Sequence, residues 1–486
     1  MGSLSCSELN ALGRHIPTPF YLSILKNERA LELRVQSILR IVPGRRIVAL
    51  GTWQDKQVIL KLFYDRKTWK RNMLRDIRGI NLLKQAGIPT PRLQLQSTTE
   101  DKAGGALIID YLSTGKGLSG LFNQAKNEEE QNDILDLAIE NIARCHQAGL
   151  WQEDIHLDNF LLYRGVVHLI DGADVKSVDG LLDKETCLKN LAMFVAQLPA
   201  RFDQKTEQLI HSYRNYLPEL SKNDSKNFDA LVRKARITRL DRYEKKLFRS
   251  TTSHRCERVY GRFVVYDRIL NSPALEQFVE DPDSFIDEGR LLKKGNSSTV
   301  AVVDINGSNY VLKRYNMKSF GHRLSRSLRP SRAHQSWKNA LTLKMLGVAT
   351  PTPLLFMENR LLGVFRSTAY YLSEYIEGDN FGDEIAADTL EDDQFKKSIE
   401  MFEQLFRIMN TYSVSHGDTK ASNFILKDGE LMVLDLDAMK RHKSVGTFSE
   451  KFVKDLKRFQ KNWKGSKFEK KVDKAVTALQ SEFAGS

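Results

Sequence analysis

His416–Phe424 reads HGDTKASNF, and its Asp418 and Asn423 stand five residues apart. A second stretch in the first half of the chain, EDIHLDNF, places Asp154 and Asn159 at the same spacing. The two stretches lie 264 residues apart (418 − 154 = 264). Asp and Asn are common in turns, so either stretch alone is compatible with an ordinary loop. The same pattern present twice indicates a repeated unit.

The repeat extends well beyond these loops. GIPTPRL from Gly87 matches GVATPTPLL from Gly347 at an offset of 260 (347 − 87 = 260). VILKLFY around Lys61 matches YVLKRYN around Lys313 at an offset of 252 (313 − 61 = 252). The order of the matches is the same in both halves, and the offset drifts by a few residues at a time. This pattern is typical of a duplicated domain with insertions in its loops.

Each copy has the same order of predicted elements. Short β-type runs such as RIVALGTW and STVAVVDI come first, and a helical segment that ends at a glycine follows them. Another strand, a helix, the polar loop, a strand ending in an acid and further helices complete each copy. A strand-rich part followed by a helix-rich part is typical of an α+β fold. We therefore predict two tandem, two-lobed α+β domains, residues 1–250 and 251–486, each with a β-rich N-terminal lobe and a small helical C-terminal lobe.

The second copy holds a set of side chains suited to phosphoryl transfer. Lys313 lies in a predicted strand, and the carboxylate of Asp418 can accept the proton of an attacking hydroxyl. The amide oxygen of Asn423 and the carboxylate of Asp435 can hold Mg²⁺. Lys420 can reach a transferring phosphoryl group and offset its developing charge. The ordered set therefore predicts a catalytic role for Asp418 and Lys420 and a metal-binding role for Asn423 and Asp435.

A glycine-containing turn precedes Lys313. Gly295, with small polar neighbours that include Ser297, lies between two predicted strands. Backbone N–H groups there could approach a phosphate, although a plain hairpin turn explains the same residues equally well. The corresponding site residues of the first copy are Lys61, Asp154, Asn159 and Asp171.

The ordered set is the protein-kinase-like constellation, and the resemblance is closer than fold class. The second copy, from GNSSTVAVV through HGDTKASNFIL to LMVLDLDAM, resembles the lipopolysaccharide core kinases, the Kdo and heptose kinase family. GLWQEDIHLDNFLLYRGVVHLIDGADV in the first copy resembles the same InaA-like family. The resemblance implies tandem protein-kinase-like domains, ATP and Mg²⁺ as cofactors, and a sugar hydroxyl of the lipopolysaccharide inner core as the acceptor. It also implies that Lys313, Lys61, Gly295 and Ser297 contact ATP.

The sequence after Asp435 favours an acceptor that is not a protein. LDAMKRHKSVGTFSEKFVKDLKRFQKNW runs almost directly into a helical pattern, without an Ala-Pro-Glu motif and without a long activation segment. Protein kinases use that segment to dock a peptide. Only 51 residues follow Asp435 (486 − 435 = 51), which predicts a small helical lobe.

Two features depart from the pattern of the family. The first copy has Gln152 in place of the loop histidine. In the second copy, the helix that should supply a Glu partner to the strand lysine has no acid between Ser331 and Leu355. The first copy offers Asp76 for that role, whereas the sequence does not identify the partner of Lys313.

The basic composition predicts an anionic partner. The formal net charge is +13, and the basic stretches Arg233–Phe263 and Glu450–Lys474 contribute to it. Leu456, Phe459 and Trp463 form one face of an amphipathic helix in the second stretch. Either the lysines form a solvated face, or they contact anionic membrane headgroups or a phosphorylated glycolipid such as the lipopolysaccharide core. Nucleic acid is a less favoured partner because no RNA-binding motif is present.

The sequence predicts a cytoplasmic protein, with peripheral association at the inner face of the cytoplasmic membrane as a further expectation. Its apolar runs are shorter than a membrane span, and its N-terminus lacks the apolar core of a signal peptide. Four scattered cysteines fit a reducing compartment. Two alternative functions stay open: an aminoglycoside- or choline-type kinase, and a non-catalytic pseudokinase scaffold in envelope assembly. The net basic charge disfavours a cationic acceptor, and the retained metal-binding acids disfavour a scaffold.

Overall fold

The computed structural model describes residues 2–316, 329–361, 365–378 and 380–484. The chain divides into two compact units. The first comprises Met1–Gln197 with Asp203–Ala235, and the second comprises Leu198–Phe202 with Arg236–Ser486. The prediction of two kinase-like domains that divide after residue 250 stays a prediction.

The first unit consists of one antiparallel sheet followed by helices and short hairpins. Its helices are α1 (Cys6–Leu12), α2 (Trp69–Gln85), α3 (Leu118–Gln124), α4 (Glu128–Gln147), α5 (Lys184–Val195) and α6 (Thr206–Tyr216). Its strands are β1 (Phe20–Lys26), β2 (Arg29–Val42), β3 (Arg46–Trp53), β4 (Lys56–Phe63), β5 (Leu93–Thr98), β6 (Gly105–Asp110), β7 (Lys116–Gly117), β8 (Leu150–Gln152), β9 (Phe160–Tyr163), β10 (Val166–Leu169) and β11 (Val175–Ser177). Helix α7 (Phe228–Glu244) begins in this unit and ends in the second.

The sheet of the first unit has the strand order β1-β2-β3-β4-β6-β5, with antiparallel neighbours throughout. Side chains along β3 alternate between half-buried and buried, as the period of two in RIVALGTW predicts. In β4, Lys61 pairs with Val48 on one side and with Leu107 on the other. The strand lysine therefore lies in the middle of the sheet and not on an edge strand.

The second unit repeats this plan with a longer sheet. Its remaining helices are α8 (Pro273–Glu280), α9 (Pro282–Glu288), α10 (Arg332–Leu346), α11 (Phe381–Ala386), α12 (Asp392–Thr411), α13 (Val445–Asn462) and α14 (Glu469–Ala484). Its strands are β12 (His254–Val259), β13 (Arg262–Asp267), β14 (Arg290–Lys294), β15 (Ser298–Ile305), β16 (Ser308–Tyr315), β17 (Pro353–Leu361), β18 (Phe365–Glu374), β19 (Val414–Ser415), β20 (Phe424–Lys427), β21 (Glu430–Val433) and β22 (Lys440–Arg441).

The seven-stranded sheet of the second unit has the order β12-β13-β17-β18-β16-β15-β14. Lys313 lies on β16, where it pairs with Val300 of β15 and Tyr371 of β18. Helix α10 ends at Gly347, which has a φ of +70° as a left-handed C-cap requires. The predicted α+β class, with a β-rich part followed by a helical part, is confirmed.

A single aromatic-rich core lies beneath the helical part of the second unit. Helices α12, α13 and α14 contribute to it, and Leu456, Phe459 and Trp463 are each at most 2% exposed. The predicted apolar face of the C-terminal basic stretch is therefore buried, and its lysines lie on the outer side of α13. Among the described residues, no helix has both the length and the apolar character needed to cross a membrane.

The basic stretch Arg233–Phe263 is divided among three elements. It includes the end of α7, the strand β12 and the start of β13. Tyr243, Phe248 and Phe263 pack against a buried cluster around Trp337, whereas Tyr260 is 64% exposed. Three of the four aromatic residues that accompany its basic residues therefore have a packing role.

Candidate functional site

A buried acid holds the HGDTK loop of the second unit in place. The N–H groups of His416 and Gly417 donate to the Asp455 carboxylate at 2.7 and 2.9 Å, and the Thr419 hydroxyl donates to the Asp455 carbonyl at 2.6 Å. Asp455 comes from α13 and is 2% exposed. Burial raises the pKa of the Asp455 carboxyl, although the two backbone donors oppose the rise. A charged residue on the apolar face of α13 thus anchors the backbone of the loop.

The His416 side chain is part of the same scaffold. Its Nδ1 accepts from the N–H of Asp418 at 3.3 Å, so Nε2 carries the proton and donates to the Leu434 carbonyl at 3.0 Å. Burial lowers the pKa of His416, against the opposing effect of the Asp455 carboxylate. A neutral, doubly hydrogen-bonded imidazole serves to hold the loop against the end of β21 and is not positioned as a proton acceptor.

Asp418 and Asn423 are oriented by this loop. The Asn423 side-chain N–H donates to the Asp418 carbonyl at 2.7 Å, which leaves the amide oxygen of Asn423 as a possible ligand. The Asp418 carboxylate forms ion pairs with Lys420 at 3.1 Å and with Arg458 at 2.9 Å. The N–H of Leu434 donates to the Asn423 carbonyl at 2.8 Å, so Asn423 lies beside the residue that precedes Asp435.

Asp435 and the strand lysine are in direct contact. Lys313 Nζ lies 2.5 Å from Asp435 Oδ1 and 3.2 Å from Asp437 Oδ2. Burial alone would raise the pKa of Asp435, but the Lys313 ammonium, together with smaller effects of His416 and Arg332, lowers that pKa below its usual value. Asp435 therefore carries a negative charge at neutral pH. Its carboxylate and the Asn423 amide oxygen are the hard oxygen donors that Mg²⁺ prefers.

Asp437 is the missing partner of Lys313. It lies two residues after Asp435 on the loop, and its side chain is only 5% exposed. Arg332, the first residue of α10, binds the same carboxylate oxygen at 2.7 Å. No helix acid is needed, because the loop supplies both carboxylates and the helix supplies a second cation. The four charges of this group, two acids and two bases, cancel.

In the first unit, one of the two acids that pair with the strand lysine comes from a helix. Lys61 Nζ lies 3.1 Å from an oxygen of Asp76 on α2 and 3.4 Å from Asp171. Burial disfavours the ammonium, but the two carboxylates outweigh it and raise the pKa of Lys61. Burial raises the pKa of Asp76 and the nearby Asp171 adds to that effect, whereas Lys61 opposes it. The expectation that Asp76 serves as the helix partner agrees with this geometry.

The offsets of the repeat identify what changed between the two units. Asp76 aligns with Ser336 at the offset of 260 that aligns the helix ends, and Asp437 aligns with Ala173 at the offset of 264 that aligns the loops. The second acid is therefore supplied by the helix in the first unit and by the loop in the second. Ser336 is buried and shares a hydrogen bond of 2.8 Å with the Tyr315 hydroxyl instead.

The polar loop of the first unit has a similar set of hydrogen bonds, but Gln152 takes the place of the histidine. The Asn159 side chain donates to the Asp154 carbonyl at 2.8 Å and to Gln152 Oε1 at 3.0 Å. Gln152 Nε2 in turn donates to the Asp171 carbonyl at 2.5 Å. Gln152 thus connects its loop to the following strand end, as His416 does in the second unit. Asp154 is exposed.

Gly295 and Ser297 lie in the turn that joins β14 to β15. The N–H of Gly295 donates to the Ser298 carbonyl at 3.0 Å, and the Ser297 carbonyl accepts from the N–H of Asn316 at 3.1 Å. A Cβ at Gly295 would lie 3.4 Å from the Ser298 carbonyl oxygen, in van der Waals contact with the backbone of the turn itself. β15 pairs with β16, so the turn and Lys313 belong to neighbouring strands.

Four residues of this site are absent from the predicted set: Arg332, Asp437, Asp455 and Arg458. For Asp455 a signal exists, because an acid at a position of the apolar face of α13 requires a buried partner. Asp437 also gives a signal, since it directly follows the predicted strand-end acid by two residues. For Arg332 and Arg458 the sequence gives no signal beyond their charge.

The arrangement of Lys313, Asp418, Asn423 and Asp435 lies within the part of the chain that matches a known family. Residues 276–479 match the model described as the lipopolysaccharide kinase (Kdo/WaaP) family. The second unit is therefore similar to this family over these residues. The match covers 204 of the 486 residues (479 − 276 + 1 = 204), and the first unit's site lies outside it. The predicted resemblance to the lipopolysaccharide core kinases is therefore confirmed for the second unit.

Three solved structures are similar to part of this chain. WaaP in complex with acyl carrier protein is 15% identical and matches over 41% of this chain and 88% of that chain, with a TM-score of 0.31. A rhoptry kinase from Toxoplasma gondii (13% identity, 36% of this chain, 56% of that chain, TM-score 0.27) and the BubR1 kinase domain (18%, 34%, 52%, 0.26) match over shorter parts. A comparison with curated proteins gave no match.

Proposed function

We propose that this protein is an ATP-dependent phosphotransferase that phosphorylates a sugar hydroxyl of the lipopolysaccharide inner core. The observation that carries the proposal is the contact between Lys313 and Asp435 inside the matched kinase domain, with Asp418 and Asn423 on the adjoining loop. Phosphoryl transfer needs a cation for the phosphates, metal-binding oxygens and a group that orients the attacking hydroxyl. These side chains supply all three.

Each residue has a specific role in the proposal. Lys313 binds the phosphates of ATP, and the backbone of the Gly295–Ser297 turn covers them. Asn423 and Asp435 hold Mg²⁺, which when bound neutralises phosphate charge. Asp418 accepts the proton of the sugar hydroxyl, and Lys420 moves from Asp418 to the transferring phosphoryl group.

The first unit is proposed to bind Mg-ATP as well. Lys61 occupies the position of Lys313, and Asn159 and Asp171 occupy the positions of the two metal ligands. Asp154 corresponds to Asp418 as the catalytic acid–base residue. A Mg-ATP titration of the full chain tests this assignment: Asn159→Ala should lower the number of bound nucleotides from two to one.

Asp418→Asn tests the proposed function most directly. We expect it to retain Mg-ATP affinity but to lose most of the transfer, because general-base assistance is worth about 10²–10⁴-fold in rate. Asp435→Asn should instead weaken Mg-ATP binding as well, since it removes a proposed metal ligand. Both variants are compared in an Asp154→Asn background, with ATP and core oligosaccharide as substrates and mass spectrometry to detect the phosphate. Unchanged transfer by Asp418→Asn would contradict the assignment.

We also propose a peripheral position at the inner face of the cytoplasmic membrane. The net charge of +13 supports contact with anionic headgroups. Flotation with phosphatidylglycerol vesicles at low and high salt tests it, because the Debye length shrinks to about 3 Å at 1 M salt. Binding that is absent at low salt, or that does not weaken with salt, would contradict it.

A further inference from the structure

A strongly cationic cavity opens beside the HGDTK loop of the kinase domain. Its volume is about 890 Å³. Seven basic side chains line it: Lys420, Lys440, Lys451, Lys454, Lys457, Arg458 and Lys461. Ser415, Gly417, Ala438, His442, Asp455 and Asn462 complete the lining. Its position is set by the loop on one side and by α13 on the other.

The cations come mainly from one side of α13. Lys451, Lys454, Arg458 and Lys461 recur at spacings of three and four residues, which places them on one helical face. At a rise of 1.5 Å per residue the row is about 15 Å long. The opposite face, with Phe452 among its residues, is buried in the core and fixes the rotation of the helix. The basic row therefore has to face the cavity.

Two acids lie close to this row, and neither neutralises it. Among the described residues that line the cavity, Asp455 is the one acid, and both of its carboxylate oxygens accept backbone N–H groups of the loop. Asp418, beside the cavity, pairs with Arg458 of the row. Lys454 has Glu450 as an ion-pair partner at 2.6 Å, but Glu450 is exposed and does not line the cavity. Burial lowers the pKa of His442 and the nearby Lys440 and Lys451 lower it further, which reflects a positive local field.

The cavity shares two cations with the proposed catalytic acid–base residue. Lys420 and Arg458 both line it, and both form ion pairs with Asp418 at 3.1 and 2.9 Å. An anion bound there would compete for these cations and release the Asp418 carboxylate. Such an anion would also lie next to the hydroxyl that Asp418 is proposed to accept from.

We propose that this cavity binds anionic groups that the acceptor sugar already carries, so that the enzyme acts on a glycan to which phosphate or carboxylate groups have been added beforehand. The inference rests on the proposed function and adds the recognition of the acceptor to it. A reaction that installs an anionic group on the glycan must then precede this one. A cationic acceptor such as an aminoglycoside does not fit, because seven positive charges would repel it.

A charge-matched pair of variants tests the cavity in the full chain. The cavity variant carries Lys451→Gln, Lys454→Gln and Lys461→Gln. The control variant carries Lys443→Gln, Lys464→Gln and Lys470→Gln, which are exposed lysines outside the cavity lining. Both lose three positive charges, so any difference between them is local. None of the six residues belongs to the proposed catalytic machinery.

The measurement is calorimetric binding of fructose 1,6-bisphosphate, glucose 6-phosphate and glucose, without nucleotide. We expect the bisphosphate to bind most tightly and glucose not at all. The cavity variant should bind the bisphosphate at least about tenfold more weakly, since charge-assisted contacts are lost, and the control variant should stay within about twofold. Equal loss in both variants, or no loss in either, would overturn the proposal.

Two further measurements distinguish the anion site from a membrane or RNA contact, and distinguish its failure from a failure of the proposed function. If the natural protein binds no bisphosphate but phosphatidylglycerol vesicles or single-stranded RNA bind and are lost in the cavity variant, the cavity is a membrane or RNA contact and the proposal is wrong. Phosphoryl transfer is measured separately. If the cavity variant loses bisphosphate binding, the anion site is supported even if the protein shows no phosphoryl transfer. If the protein does transfer phosphate but the cavity variant binds the bisphosphate as well as the natural protein, the anion site is refuted and the proposed function is not.

Discussion

Asp437→Asn removes the loop acid that has taken the place of a helix acid. Asparagine keeps the volume but not the charge that lies 3.2 Å from Lys313 and 2.7 Å from Arg332. Removing one partner of a fully buried ion pair costs about 3–5 kcal/mol. Here Asp435 stays on Lys313, and Arg332 is 45% exposed and can return to water. We therefore expect the free energy of unfolding to fall by about 1–3 kcal/mol.

We expect Asp437→Asn to reduce the catalytic rate more than it reduces the stability of the fold. With Asp437 uncharged, Lys313 is held by Asp435 alone and its ammonium shifts towards that carboxylate. A displacement of about 1 Å at a phosphate-binding group can reduce the rate by about 10²-fold. We expect kcat/KM for ATP to fall by about 10- to 100-fold, measured in an Asp154→Asn background with core oligosaccharide as acceptor. Arg332→Gln is the control for the loss of the second cation.

A rescue variant makes this prediction specific. Ser336 is the position of α10 that matches Asp76 of the first unit, so Ser336→Asp places an acid where the first unit has one. In the Asp437→Asn background it should recover at least about tenfold in kcat/KM, as a double-mutant cycle measures. In the natural background it adds a third carboxylate near Lys313 and should destabilise the unit. Full activity of Asp437→Asn, or no coupling between the two positions, would refute the relocation of the acid.

Two further predictions concern stability. Burial lowers the pKa of His334 to about 4, so the unfolded chain binds a proton that the folded chain does not, and stability should rise between pH 4 and 6.5. His334→Phe keeps the stacking on Phe248 and should reduce that slope by about 1.4 kcal/mol per pH unit in urea unfolding; an unchanged slope would contradict it. Gly79→Ala should lower the free energy of unfolding by about 2–4 kcal/mol, because its Cβ would lie 1.8 Å from the Gly172 carbonyl oxygen. Gly120→Ala, with open space around it, should be neutral or stabilising by up to about 1 kcal/mol, and equal effects at both glycines would contradict the packing argument.

The strongly periodic segments of this chain could be predicted from the sequence. RIVALGTW and STVAVVDI form β3 and β15 with the predicted ends, and the glycine after α10 caps that helix in the left-handed conformation. β2 was not predicted, because most of its residues are exposed or half-buried and two irregularities interrupt its pairing with β3. Alternation of apolar residues signals a strand only where one face is buried.

The sequence yields the candidate site residues as a prediction, but it does not give all of the contacts between them. The repeat located Lys313, Asp418, Asn423 and Asp435 because their order along the chain is fixed by the fold. The basic character of the C-terminal stretch was also evident. Its cavity was not, because the position of α13 against the loop depends on the buried contact of Asp455 with backbone N–H groups. Such a contact between distant segments leaves no periodic trace in the sequence.

The relocation of the acid follows from how helix and loop meet in each unit. In the first unit Gly79 lets α2 touch the backbone of Gly172, and Asp76, one turn earlier on the helix, reaches the lysine. In the second unit Asn339 stands at the matching position (339 − 79 = 260), and its side-chain N–H groups donate to the carbonyls of Leu436 and Met439 at 2.8 and 2.7 Å. The amide side chain fills the space that backbone contact occupies in the first unit, and it fixes the loop so that Asp437 faces Lys313. What both units preserve is therefore the number of carboxylates around the strand lysine, not the element that supplies them.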